Sequence, residues 1–345
     1  MNTSDPNSAF EKMSGDAVLK IVREATEEFV ASLRVIESSR LDSTDGLSLD
    51  DREKLFTALR RLLARLQSTG YRGETNRLPS GELWRAAEPW ISRGVLQRRA
   101  REKPRGYAGD YEMLNMIALR TLCDDPWGNA FDQFFQDEAA PRAVRERLGC
   151  VTEAIIETMA GRGHTHAVHV VSIGCGPAID IRWAAERLSA EERRRLRVTL
   201  LDLDPAAIEF AKASLEPLLP AAQIDCRREN LYRLPRRREA AGLVDADFVA
   251  CAGLFDYLEP ADAAALLRAM WDSLRPGGRL QMFNFLTTNP SRPHMEWIGN
   301  WYLCYRPLDE LAELARAAKL PTDARRVITD SANVVGRIEA TKISV

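Results

Sequence analysis

The sequence predicts an α/β protein in which an all-α region, residues 1–140, precedes a doubly wound sheet domain, residues 141–345. Three observations predict it. Residues 170 to 181 read Val-Val-Ser-Ile-Gly-Cys-Gly-Pro-Ala-Ile-Asp-Ile, a β-branched run that breaks at Gly174-Cys175-Gly176 into a helical pattern. Leu200 and Leu201 deliver Asp202 at a second strand tip, and Leu203-Asp204-Pro205 opens the next helix. Strand and helix patterns then alternate as far as Phe285, which demands a parallel sheet with helices on both faces.

Within the first region, Val18, Val22, Ala25, Phe29, Leu33 and Ile36 recur at helical spacing, so an amphipathic helix is expected from Asp16 to about Ser38. A polar stretch through Thr44-Asp45-Gly46 leads to Ser48, the expected N-cap of a second helix running to about Gln67, with Asp50 and Asp51 in its first turn. Gly70 to Gly81 is rich in glycine, arginine and polar residues and reads as a loop before a short helix carrying Leu83, Trp84, Trp90 and Ile91. Lys103 to Glu112 holds two glycines, a proline and two tyrosines and reads as an ordered loop before helix residues Met113, Leu114, Met116 and Ile117.

A helix from Pro141 to about Met159 feeds the strand before Gly174. A helix over Ala206 to Leu215 follows Asp202, then a strand near Gln223 to Arg227 with Glu229-Asn230-Leu231 at its tip. Ala246 to Cys251 reads as a buried strand, Pro260 to Leu274 as a helix, Arg275-Pro276-Gly277-Gly278 as a tight turn, and Arg279 to Phe285 as a strand. Arg325 to Ile328 and Val334 to Ile343, separated by Asp330-Ser331-Ala332-Asn333, suggest a closing antiparallel hairpin.

Composition narrows the function classes. The 345 residues suit two domains, and no apolar run approaches the ~20 residues of a membrane span. The N-terminal residues carry neither a basic nor an apolar leader segment, so a cytoplasmic location is expected. The six cysteines form no C-x-x-C pair and read as free thiols, while His164, His166 and His169 lack Cys or carboxylate partners at ligand spacing; no metal is expected. Net charge is −2, and the arginine clusters at 60–61, 98–101, 193–195 and 236–238 are interleaved with acids, which points away from nucleic acid and toward a small-molecule substrate.

The chemistry sits in the glycine turn and the acid after it. An acidic side chain at the second strand tip is placed to accept hydrogen bonds from two ribose hydroxyls, so an adenosine-containing ligand is expected. A dinucleotide fingerprint needs a third glycine, and Ile179 occupies that position. Gly174-Cys175-Gly176 with Ala178, followed by Asp202, instead resembles motifs I and II of class I S-adenosylmethionine (SAM) methyltransferases. Arg275-Pro276-Gly277-Gly278 resembles their L-x-P-G-G turn, and Asp247-Phe248 with Gly253 to Leu258 resembles the strand-4 motif that floors the space between cofactor and acceptor.

Two longer segments are more specific. Pro104-Arg105-Gly106-Tyr107-Ala108-Gly109-Asp110-Tyr111-Glu112-Met113 and the run from His294 to Arg306 resemble signatures of the bacterial 3-hydroxypalmitic acid methyl ester synthase family. That resemblance implies a Rossmann-like, seven-stranded class I methyltransferase sheet with an N-terminal helical cap, and methylation of a fatty-acid carboxylate. The cofactor residues it implies are Ser172, Gly174, Gly176, Asp202, Leu203, Asn230, Leu231 and Gly253. Tyr107, Asp110, Tyr111 and Asn115 become candidate catalytic residues, closing over the methionine end of SAM. Phe255, Asn284, His294, Glu296, Trp297, Trp301, Tyr305 and Arg306 become candidate acceptor contacts, with Trp297, Trp301 and Tyr305 at i, i+4, i+8 on one helical face.

One departure opens a second chemistry. Ser172 stands where many methyltransferases carry an acid that holds the SAM amine, so the amine is either held by another group, such as Asp180 or Asp110, or left free. Azetidine-2-carboxylate synthases resemble methyltransferases with a helical cap and let the α-amine of SAM attack its own γ-carbon, releasing methylthioadenosine. A SAM-binding regulator without turnover is the third reading.

Overall fold

The computed structural model describes residues 15–39, 47–163 and 166–343, which leaves the Thr44-Asp45-Gly46 stretch and His164 outside the described residues. The chain forms two compact units: Met1–Met116 with Arg120–Glu138 and Pro290–Tyr302, and Ile117–Leu119 with Ala139–Asn289 and Leu303–Val345. The units therefore do not divide at a single cut in the sequence, because Pro290–Tyr302, far downstream of the helices that end at Glu138, packs among them.

The first unit is helical: α1 Gly15–Ser38, α2 Leu49–Ser68, α3 Arg77–Ile91, α4 Val95–Glu102, α5 Tyr111–Leu119, whose last residues belong to the second unit, and α6 Pro126–Gln136. Ser48 caps α2 by accepting the Asp51 N–H at 3.1 Å. The apolar stripe of α1 meets Leu55, Leu59, Leu62 and Leu66 of α2, and Leu83, Ala87 and Trp90 of α3 join the same core. Trp127, Phe131 and Phe134 of α6 pack there with Trp297 and Ile298.

Gly70 to Gly81 is not a loop throughout. Gly73–Asn76 is a 3₁₀ turn, and α3 already runs from Arg77 through Pro79 and Gly81. Pro79 falls in the first turn, where its missing N–H has no intrahelical partner to lose, so its composition hid a helix start. A single π turn, His294–Ile298, replaces the long helix expected around Trp297. Asn300, at φ 49° in the left-handed region, follows Gly299, and 301–305 is non-helical, so Trp297, Trp301 and Tyr305 do not share one helical face.

In the second unit α7 Ala139–Gly161 leads into β1 Val168–Ile173. Then come α8 Ile179–Arg187, α9 Ala190–Arg195, β2 Leu196–Asp202, α10 Pro205–Leu215, β3 Ile224–Arg228, α11 Leu234–Arg237, β4 Ala246–Cys251, α12 Pro260–Asp272, β5 Leu274–Phe285, α13 Leu308–Ala317, β6 Arg325–Thr329 and β7 Val335–Thr341. The seven-stranded sheet has the order β3-β2-β1-β4-β5-β7-β6. β7 alone runs antiparallel to its neighbours β5 and β6, so the expected closing hairpin is present. Asp330 holds its turn by accepting the Val334 N–H at 2.6 Å.

Burial explains the strand sequences. β4 is buried at every position and reads Ala-Asp-Phe-Val-Ala-Cys, as a strand covered on both faces must. Its one acid, Asp247, accepts the His169 N–H at 2.8 Å and pairs with Arg162 at 2.6 Å. The turn before β5 needs its glycines: Gly277 has φ +74°, and a Cβ on Gly278 would stand 2.7 Å from the Ala246 carbonyl oxygen. No helix among the described residues is long and apolar enough to cross a membrane.

Candidate active site

Strand order reverses between β1 and β4, and the carboxyl ends of β1, β2, β3 and β4 lie along one edge. Ligands of open α/β sheets bind outside such an edge. Ser172, Gly174, Gly176, Asp202, Leu203, Asn230, Leu231 and Gly253 all lie in or just after the last residues of these four strands.

The turn after β1 is built from left-handed backbone. Gly174 has φ +62°, Gly176 φ +49°, and Ala178, the residue before α8, φ 49°. Two hydrogen bonds couple it to β2: the Cys175 N–H donates to the Leu201 carbonyl at 3.0 Å, and the Gly176 N–H donates to Asp202 Oδ2 at 2.9 Å. Asp202 Oδ1 accepts the Asp204 N–H at 3.0 Å, and Asp204 in turn caps α10 through the Ala206 N–H. Burial raises the Asp202 pKa, and the N–H donors of Asp204, Gly176 and Leu203 oppose that rise.

Around this carboxylate, Leu203 is exposed, and a Cβ on Gly174 would meet Leu254 at 3.6 Å and Leu231 at 3.7 Å. Both are ordinary contact distances, so the left-handed φ of +62°, not lack of space, is what favours glycine here. Asn230 Oδ1 accepts the Tyr232 N–H at 3.1 Å, and Tyr232 itself is exposed. Ser172 is buried under the turn. Asp180, in the first turn of α8, is buried, which pushes its carboxyl up to about 6, and its Oδ1 accepts the Ile181 N–H at 2.9 Å.

Several expected acceptor contacts prove to be internal fasteners. Arg306 is 2% exposed; it donates to the Phe255 carbonyl at 2.9 Å, to the Leu258 carbonyl and to Asn284 Oδ1, and its Nε lies 3.3 Å from Glu310. Asn284 donates to the Phe285 and Cys304 carbonyls, and Phe255 is fully buried. This network ties the 255–258 turn to the end of β5, so neither Arg306 nor Asn284 offers a free group to an acceptor. Tyr305 is half-buried beside them in sequence.

The remaining candidates belong to the first unit. Glu296, 1% exposed, accepts from the Gly73 N–H, from Asn76 Nδ2 and from Arg292 Nε, which is a structural commitment. His294 is buried against the rings of Phe134 and Phe135 at 5.7 and 4.9 Å, and desolvation pushes its pKa down to about 3. Trp297 and Trp301 are buried. Asp110, 1% exposed, accepts the Met113 N–H at the start of α5 and both of its oxygens accept from Arg99 Nε. Tyr111 accepts from Arg105 at 2.9 Å beneath the same guanidinium, Tyr107 is exposed, and the half-buried Asn115 has its Oδ1 without a hydrogen-bond partner.

Sequence reasoning passed over Arg147 and gave Asp256 no role. Arg147 lies on the buried stripe of α7 with Ala143, Val144, Val151 and Ala154, an arginine where spacing demands an apolar residue, and that mismatch is the signal. Its Nη1 meets Asp256 Oδ2 at 3.3 Å, and Asp256 Oδ1 accepts the Phe285 N–H at 2.6 Å. Burial pushes the Asp256 carboxyl up to about 6 despite the adjacent guanidinium. Among the described residues no group of three His, Cys, Asp or Glu is placed to hold a metal ion, and the six cysteines are free thiols.

Comparison with known proteins agrees with this geometry. Residues 170–278 match the family model of a methyltransferase domain. The chain is similar to the crystal structure of a possible exported protein from Bordetella parapertussis, at 17% identity and a TM-score of 0.56, over 99% of this chain and 100% of that one. It is similar to the CurJ carbon methyltransferase at 11% identity and a TM-score of 0.52, over 97% and 94% of the two chains. At these identities the likeness is one of fold. No curated protein matches the chain. The sheet is that of a Rossmann-like class I SAM-dependent methyltransferase fold, with a helical region N-terminal to it in the sequence.

Proposed function

We propose that this protein is a SAM-dependent small-molecule methyltransferase that methylates a carboxylate oxygen, with a hydroxy fatty acid as the acceptor suggested by its resemblance to 3-hydroxypalmitic acid methyl ester synthases. The observation that carries the reading is the bond from the Gly176 N–H to Asp202, which joins the glycine turn to the acid at the tip of β2, beside the switch point of the sheet. The methyltransferase-domain match over 170–278 supports the cofactor. A cytoplasmic location belongs to this reading, and the six free thiols accord with a reducing compartment.

The mechanism asks little of proton-transfer groups. A carboxylate oxygen attacks the sulfonium methyl in line; the new C–O bond forms as the C–S bond breaks, and neutral S-adenosylhomocysteine leaves. The nucleophile is already ionised, so no general base is required. In this reading Gly174 and Gly176 admit the methionine moiety, Asp202 accepts the ribose hydroxyls, and Leu203, Asn230 and Leu231 surround the adenine. The protein contributes proximity, alignment and a dry site.

Ser172 favours a second reading, cyclisation of SAM to azetidine-2-carboxylate, because an amine not held by an acid at that position is freer to act as nucleophile. Transfer of a label from methyl-labelled SAM into a base-labile ester in the presence of 3-hydroxy fatty acids tests the first reading. Label remaining with methylthioadenosine speaks for the second.

A further inference from the structure

We propose that Arg147 is a carboxylate clamp, holding the acid group of a bound small molecule on the free edge of its guanidinium. The residue is 6% exposed and is the one charged member of the buried stripe of α7. Asp256 takes Nη1 alone, and the Phe285 ring lies under the guanidinium, 5.4 Å from centroid to Cζ. Among the described residues Nε has no hydrogen-bond partner and Nη2 makes none. Nε–H and Nη2–H are the two parallel donors of the side-on fork that matches the two oxygens of a carboxylate. Nε, buried and left without an acceptor, is a standing cost that a bound anion removes.

Two surroundings say where that anion comes to rest. Nη2 lies beside Gly253, where an added Cβ would stand only 3.2 Å from it, and Gly253 follows the carboxyl end of β4. Arg147 also lines a cavity of about 450 Å³ with Cys150, Phe283, Asp330, Val335 and Arg337. Phe283 and Val335 give it an apolar wall, while Asp330, Glu146 and Glu153, which also line it, disfavour a dianion, so a monoanionic carboxylate with an apolar body suits it better than a phosphate. The carboxylate has two possible sources, the methionine end of SAM or the acceptor, and the inference rests on the methyltransferase reading for both.

Calorimetry on the full-length protein separates them. The wild type is titrated with SAM and with decarboxylated SAM, and then, loaded with S-adenosylhomocysteine, with octanoate and with octanamide. The clamp predicts that one member of one pair, the acid, binds at least about tenfold more tightly than its neutral partner. A gap within the SAM pair assigns the clamp to the cofactor, and a gap within the octanoate pair assigns it to the acceptor. Arg147→Lys, which keeps the charge beside Asp256 but lacks the fork, should close whichever gap appears while melting near the wild-type temperature. If that variant does not fold, the wild-type pairs decide alone. Equal affinity within both pairs overturns the clamp. Failure of the wild type to bind either form of SAM sinks the methyltransferase reading, and the clamp falls with it.

Discussion

The Asp202 carboxylate accepts the Gly176 N–H at 2.9 Å, so the tip of β2 and the glycine turn after β1 are held as one piece. The acid is oriented before any ligand arrives, and a pre-set acceptor lowers the ordering cost of binding.

Asp202→Ala removes this brace and, on the proposed function, the charge-assisted bonds to a ribose. SAM affinity should fall by about 1.5–3 kcal/mol. An unchanged dissociation constant in calorimetry would take Asp202 out of the cofactor site.

Arg306→Gln separates a fastener from a ligand contact. Removing the guanidinium leaves the carbonyls of Phe255 and Leu258 and the side chain of Asn284 short of donors in a buried place, so stability should drop by about 2–4 kcal/mol. Denaturant unfolding measures it. Wild-type stability combined with a raised KM for an acidic acceptor would return Arg306 to the substrate.

Asp180 should make the protein less stable as pH rises. Its folded pKa, about 6, lies above the ordinary 3.8, so the folded state holds the proton more tightly. The resulting stability is full below pH ~4, is lost as pH rises through about 6, and amounts to about 3 kcal/mol. Asp180→Asn should therefore raise the melting temperature at pH 7 relative to wild type and leave it unaltered near pH 4. Parallel melting profiles of the two proteins across this range would refute the assignment.

His294 works in the opposite direction. Held down to about 3 by its apolar surroundings, it stays neutral in the folded state while the unfolded chain protonates it. Stability is lost as pH falls from the ordinary value of 6.5 toward 3, by about 2 kcal/mol at pH 5. His294→Phe, between Phe134 and Phe135, should flatten this acid limb. Equal acid sensitivity in chemical denaturation at pH 5 and pH 7 would count against it.

How much of this was legible in the sequence depends on whether a residue acts through its neighbours in the chain. The strand ends at Ile173 and Asp202, the glycine turn, the caps at Ser48 and Asp204 and the final hairpin are local signals, and each is where its spacing places it. Helix α6 was marked by Asp125-Pro126, an N-cap followed by a proline at the first position, and was simply not read. Arg306 and Glu296 were different. Both look like ligand-binding groups in a one-dimensional reading, because the carbonyls and amides that occupy them come from residues 48 to 51 and 220 to 223 positions away. Arg147 was marked only by its place on the apolar stripe of α7; its partner Asp256, 109 residues downstream, left no local trace.

The most direct test is mass spectrometry of the nucleoside products when the purified protein is given SAM with and without an acidic acceptor. Methyl transfer predicts intact SAM in the absence of acceptor and S-adenosylhomocysteine when a suitable acid is added. Methylthioadenosine above its spontaneous rate in the absence of acceptor, accompanied by a four-carbon cyclic amino acid, would contradict methyl transfer and establish cyclisation.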